Sequence, residues 1–169
     1  MVIFEQKDLR ISLILPEVLR VEKGNRTDLP TQIVQFRDFG EIPHTKEIHG
    51  DWCVVQTQAA RFEVDLTSGN LICITLPDGT SVTDASKDIL PGTARTLDQA
   101  NGAVKLEKGI VSPSGVSMLD DSKSLLLDGD NVLPRPKTID RYYFAYGHDY
   151  KRQLRDFFKL TGEVPLIPK

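Results

Sequence analysis

From Arg61 to Leu66 apolar and charged residues alternate one for one: Phe62, Val64 and Leu66 against Arg61, Glu63 and Asp65. A period of two puts the first set on one face of a sheet and the second on the other, so the segment is a half-buried strand. Thr67-Ser-Gly-Asn70 carries turn chemistry, Leu71 to Leu76 returns as a more fully buried strand, and Pro77-Asp-Gly79 turns again. This is an antiparallel hairpin or meander, and it commits the first half of the chain to β structure.

Other segments agree. Leu9 to Leu15 is a branched apolar run closed by Pro16, and Val18 to Val21 follows as a second strand. Thr31 to Phe36, Trp52 to Thr57 and Arg141 to Tyr146 also read as strands. Glu22 to Asp28 is turn-rich, and Glu41 to His49 reads as a polar loop. Between Asp84 and Asn131 the pattern weakens: Gly92, Gly102, Gly109, Gly115 and Gly129 punctuate brief apolar runs, Val116 to Leu119 and Leu125 to Leu127. Short strands joined by long loops are predicted, and long loops in a compact domain are often functional. One helix is predicted, Asp149 to Leu160, with Tyr150, Leu154, Phe157 and Phe158 as its apolar stripe, Asp149 as N-cap and Gly162 as stop. The fold class is mainly β, and many short strands without regular spacing favour a sandwich over a barrel.

A length of 169 residues suits one domain with a short appendage, and a net charge of −3 gives no basic stripe for nucleic acid or a membrane surface. No apolar run approaches the ~20 residues of a membrane helix, and the start lacks a secretory pattern, so the cytoplasm is expected. Cys53 and Cys73 have neither zinc nor redox spacing and read as buried thiols. No cofactor or metal is called for. His44 and His49 share a polar loop without a further ligand, and His148 sits at a strand-to-helix junction where a structural hydrogen bond is expected. Asp120 and Asp121 are adjacent, so on a strand they point to opposite faces and form no glycosidase pair; turn or cap duty is expected. No nucleotide loop, nucleophile elbow or metalloprotease motif is present, and no catalytic site is visible.

Three segments together resemble one family. They are Leu90-Pro-Gly-Thr-Ala-Arg-Thr-Leu-Asp-Gln-Ala-Asn-Gly102, then Gly109-Ile-Val-Ser-Pro-Ser-Gly-Val-Ser-Met-Leu-Asp-Asp-Ser122, then Tyr143 to Lys169 with its Leu160-Thr-Gly162 and Pro165-Leu-Ile-Pro168. In order and spacing they are similar to family 31 glycoside hydrolases, the α-glucosidase and α-xylosidase group. The resemblance is good from about residue 85 onward. It implies a galactose-mutarotase-like β-sandwich over 1–148 and a helix with linker over 149–169. That linker would lead into a (β/α)8 catalytic barrel of the same polypeptide, which bears the aspartate nucleophile and acid/base. The chain itself would then be inactive, its expected partners being that barrel and an α-linked oligosaccharide.

The resemblance also implies that a sandwich loop helps to wall the sugar site. The positional match is 98–115, which is shorter here than in better-known members, with Asp98, Asn101, Glu107 and Ser112 as polar candidates. The alternative is an independent carbohydrate-binding module, which would need an aromatic platform from Trp52 and four tyrosines. Self-association through Tyr150, Phe157 and Leu166 is expected where an apolar surface lacks its barrel.

Overall fold

The computed structural model describes residues 1–92, 101–102 and 104–162. In chain order the elements are β1 (Val2–Gln6), β2 (Leu9–Leu15), β3 (Val18–Gly24), β4 (Thr45–His49), β5 (Trp52–Gln56), β6 (Arg61–Asp65), β7 (Leu71–Thr75), β8 (Ser81–Val82), β9 (Val116–Asp120), β10 (Leu126–Asp128), β11 (Asn131–Leu133), β12 (Thr138–Ala145) and α1 (Tyr150–Thr161). One sheet has the order β1-β2-β3-β12-β9 and a second has β4-β5-β6-β7-β8, while β10 and β11 pair by themselves. All the pairings are antiparallel.

The two five-stranded sheets face each other across one core. Ile11, Leu13, Leu19, Val21 and Tyr143 come from the first sheet, and Cys53, Val55, Phe62, Val64 and Ile74 from the second. The alternation of β6 works as expected: Phe62 and Val64 are buried, and Arg61, Glu63 and Asp65 lie outward and half-buried. Each fully buried side chain of this size stabilises the fold by roughly 1.5–3 kcal/mol. The result is a β-sandwich with one C-terminal helix.

The first sheet is covered on both faces. Its outer face carries a second cluster of Ile14, Val18, Val34, Tyr142, Phe144, Tyr146 and Leu160. Residues 31–36, expected as a strand, make only the bridge from Thr31 to Leu126. They instead run beside the helix, where the Gln35 and Phe36 amides donate to the Leu160 carbonyl at 2.9 and 3.0 Å. Thr45–His49, expected as a loop, is the edge strand β4 with all five residues exposed. Its polar side chains hide the strand from a sequence reading and also blunt the edge.

Helix α1 begins where its N-cap was expected, with the Asp149 carboxylate accepting from the Arg152 amide at 3.1 Å. It ends at Gly162, whose φ of +85° suits glycine and whose amide donates to the Phe158 carbonyl. The face it buries differs from the predicted stripe. Gln153, Asp156 and Leu160 are buried and Phe157 is half-buried, whereas Leu154 and Phe158 are 43% and 45% exposed. At ~100° per residue the docked face is turned roughly a quarter-turn from the aromatic stripe. Hydrogen bonds choose it: Gln153 Nε2 donates to Ser117 Oγ at 2.8 Å and to the Ile110 carbonyl, and Tyr146 OH donates to Asp156 Oδ2 at 3.0 Å. No helix among the described residues is long and apolar enough to cross a membrane.

Candidate functional site

At one end of the sandwich three segments distant in sequence meet. The β2–β3 turn supplies Glu17, the turns of the second sheet supply Gln58, Ala59 and Leu76 to Asp78, and the β12–α1 junction supplies Ala145 to Asp149 and Arg152. Together they line a cleft of about 410 Å³, within the usual range for small-ligand sites. Its frame is tied: Thr57 Oγ1 donates to the Pro16 carbonyl at 2.7 Å, and the Ala145 amide donates to the Glu17 carbonyl at 2.8 Å.

Glu17 is only 4% exposed. Its Oε1 is held by Arg152 Nη2 at 2.5 Å, and its Oε2 has no hydrogen-bond partner. Burial pushes this carboxyl above its ordinary range, against the pull of the Arg152 charge. Arg152 also lies over the Tyr146 ring, 5.9 Å from the centroid. Burial, and then the adjacent Asp156 carboxylate, push the Tyr146 hydroxyl far up, so it stays a donor. On the opposite wall Asp78 is pulled below its ordinary range, first by the Thr80 amide at 2.8 Å. The cleft therefore offers acceptors on both walls, with one cation between.

The loop singled out by sequence borders this cleft at its foot. His148 Nε2 lies 3.2 Å from the Pro113 carbonyl, the structural hydrogen bond expected there. The Tyr146 and Gly147 amides both donate to the Gly115 carbonyl. Gly115 has φ +76°, and a Cβ on it would lie 2.6 Å from Gly147 Cα, so the close approach requires glycine. Further along, the stem is clasped by the Gly92 amide donating to the Glu107 carbonyl at 2.7 Å and the Leu90 amide donating to the Val111 carbonyl at 2.8 Å.

Of the candidate loop residues, Asp98 lies outside the described residues, as does Leu166 in the tail. Asn101 and Glu107 are exposed. Ser112 is 1% exposed, its hydroxyl 2.9 Å from that of Ser114. The structure brings none of the three to the cleft lining, which Glu17, Tyr146 and Arg152 form instead. Sequence reasoning missed Glu17 because a lone acid after a proline turn carries no pattern. Among the described residues no three His, Cys, Asp or Glu side chains are grouped to hold a metal. His44 Nδ1 is 2.8 Å from the Ile42 carbonyl, and His49 Nε2 is 3.0 Å from Glu47.

No known family profile matches this chain, and no curated protein does. A solved structure does: the GH31 dextranase of Flavobacterium johnsoniae complexed with glucose superposes with a TM-score of 0.51 at 14% identity, over 95% of this chain and 26% of that one. The shared feature is the fold. A mutant of the same dextranase complexed with isomaltotriose gives 0.49 with the same identity and coverage. This chain thus spans about a quarter of the length of the enzyme it resembles.

Proposed function

We propose that this chain is the N-terminal β-sandwich domain of a retaining α-glycosidase of the α-glucosidase type. One observation supports this most: nearly all of the chain, 95%, superposes on only 26% of a GH31 dextranase. The order of the three resembling segments, Leu90 to Gly102, Gly109 to Ser122 and Tyr143 to Lys169, is consistent with it.

In this reading the two reacting carboxylates belong to a barrel elsewhere in the polypeptide. They work by double displacement at a separation of about 5 Å. The sandwich scaffolds that barrel, and 149–169 leads into it. The loop from Asp98 to Gly115 contributes to the sugar site. Asn101 and Glu107, both exposed, and Asp98 are its contact residues, while Ser112, buried against Ser114, positions the loop. Gln153 fastens the loop stem at Ile110 and α1 to Ser117 of the sheet by the same side chain.

The test compares the 169-residue chain with a version extended by the rest of its reading frame, on a chromogenic α-glucoside. The short chain gives no turnover, the extended one hydrolyses with retained configuration, and Glu107→Ala in the extended protein raises KM more than it lowers kcat. Turnover by the rigorously purified short chain would overturn the reading.

A further inference from the structure

Glu17 has one oxygen that the fold leaves unsatisfied. Its Oε2 has no partner in a residue only 4% exposed. A carboxylate oxygen removed from water without a donor is unfavourable unless something supplies one. The side chain beside it, Arg152, is 48% exposed but also lies over the Tyr146 ring and 3.7 Å from Asp156 Oδ2, so a ligand hydroxyl would have to displace it. Across the cleft stand Gln58 and Asp78, both exposed, with Ala59, Leu76 and Pro77 as an apolar wall. Acceptors on two walls and an apolar strip fit a neutral ring that donates hydroxyls from its edge and presents C–H groups from its face. Acceptor-rich walls disfavour an anion.

We propose that this cleft is a non-catalytic binding site for one hexose unit of an oligosaccharide. Glu17 Oε2 accepts a hydroxyl proton once Arg152 moves aside, and Gln58 contacts the ring from the opposite wall. The choice of sugar rests on the glycosidase reading; the existence of a hydroxyl-binding site does not.

Amide chemical shifts of the chain, titrated with isomaltose and with sorbitol, test this. Saturable shifts at Glu17, Gln58, Asp78 and Gly147 with isomaltose are expected. Glu17→Gln weakens binding about tenfold, the loss of one charge-assisted hydrogen bond. Gln58→Leu, at an exposed turn where folding is not at stake, weakens it severalfold. Absent shifts at these amides, or affinity undiminished in both variants, overturns the site, and equal affinity for sorbitol overturns the hexose. The reading frame beyond Lys169 is an independent measurement. Binding here without a glycosidase continuation would support the site and remove the reading of the whole protein.

Discussion

Arg20 and Asp140 face each other on β3 and β12 through two parallel hydrogen bonds, Nε to Oδ1 at 2.8 Å and Nη2 to Oδ2 at 2.7 Å. They are 4% and 0% exposed and anchor a ladder of charges under the helix side of the sheet. Glu22 bridges Arg20 to Arg10, and Arg135 joins Asp140 to Asp121, which accepts from Thr31 Oγ1 at 2.8 Å. Removing one partner strands the other. Asp140→Ala should cost about 3–5 kcal/mol in urea unfolding because it strands both Arg20 and Arg135; the double change Arg20→Met with Asp140→Leu removes one of these buried cations and should recover only part of that cost.

The same pair contributes to the acid limit. Burial pushes the Asp140 carboxyl up, but hydrogen bonds and charge from Arg20, joined by Arg135, outweigh it and hold it below its ordinary range. A depressed folded-state value means stability fully present above the unfolded value of about 3.9 and lost as pH falls through the folded one. Glu17 acts with the opposite sign: its raised value makes stability decline as pH rises above the ordinary 4.5. Unfolding measured from pH 3 to 7 should show Asp140→Asn flattening the acid limb and Glu17→Gln reducing the decline above it, the raised Asp121 carboxyl supplying the rest.

Gly115 and Gln153 fix the foot and stem of the long loop. Gly115→Ala should destabilise by more than about 1 kcal/mol through the forced contact with Gly147 and the positive φ. Gln153→Ala should cost about 1–3 kcal/mol. Hydrogen exchange would locate the damage: amide protection at Leu90, Gly109 and Gly115 should fall in both, while that of β6 remains.

Leu154 and Phe158, the unburied part of the aromatic stripe, should matter little to folding. Leu154→Ser with Phe158→Ser should change stability by less than about 1 kcal/mol, yet lower the association of the isolated chain in sedimentation velocity. Unchanged association would place the contact elsewhere.

The contrast between face and period explains what could be read from sequence. The hairpin of β6 and β7, the apolar β2 and the span of α1 follow from local periodicity and caps, and they stand where expected. The docked face of α1 does not, because Gln153 and Asp156 are buried by partners, Ser117 and Tyr146, that local pattern cannot supply. Arg20, Glu22 and Asp140 alternate with apolar neighbours as a solvated face would. They are buried because residues 31–36 and α1 cover that side. Asp121 and Asp120 both serve the expected turn, the Ser124 amide donating to the Asp121 carbonyl and the Ser122 amide to the Asp120 carboxylate; what local pattern did not show is that the Asp121 side chain is 0% exposed in this ladder. The cleft was illegible for the same reason: Glu17, Asp78 and Arg152 meet only through the tertiary fold.

The central claim, that this sandwich belongs to a larger α-glycosidase, is tested most directly by the native product. An antibody raised against this domain would capture it from source cells, and peptide mass spectrometry would read its sequence. The account predicts a polypeptide several times longer than 169 residues whose peptides continue past Lys169 into a barrel with an aspartate nucleophile. A native product that ends at Lys169 would contradict it.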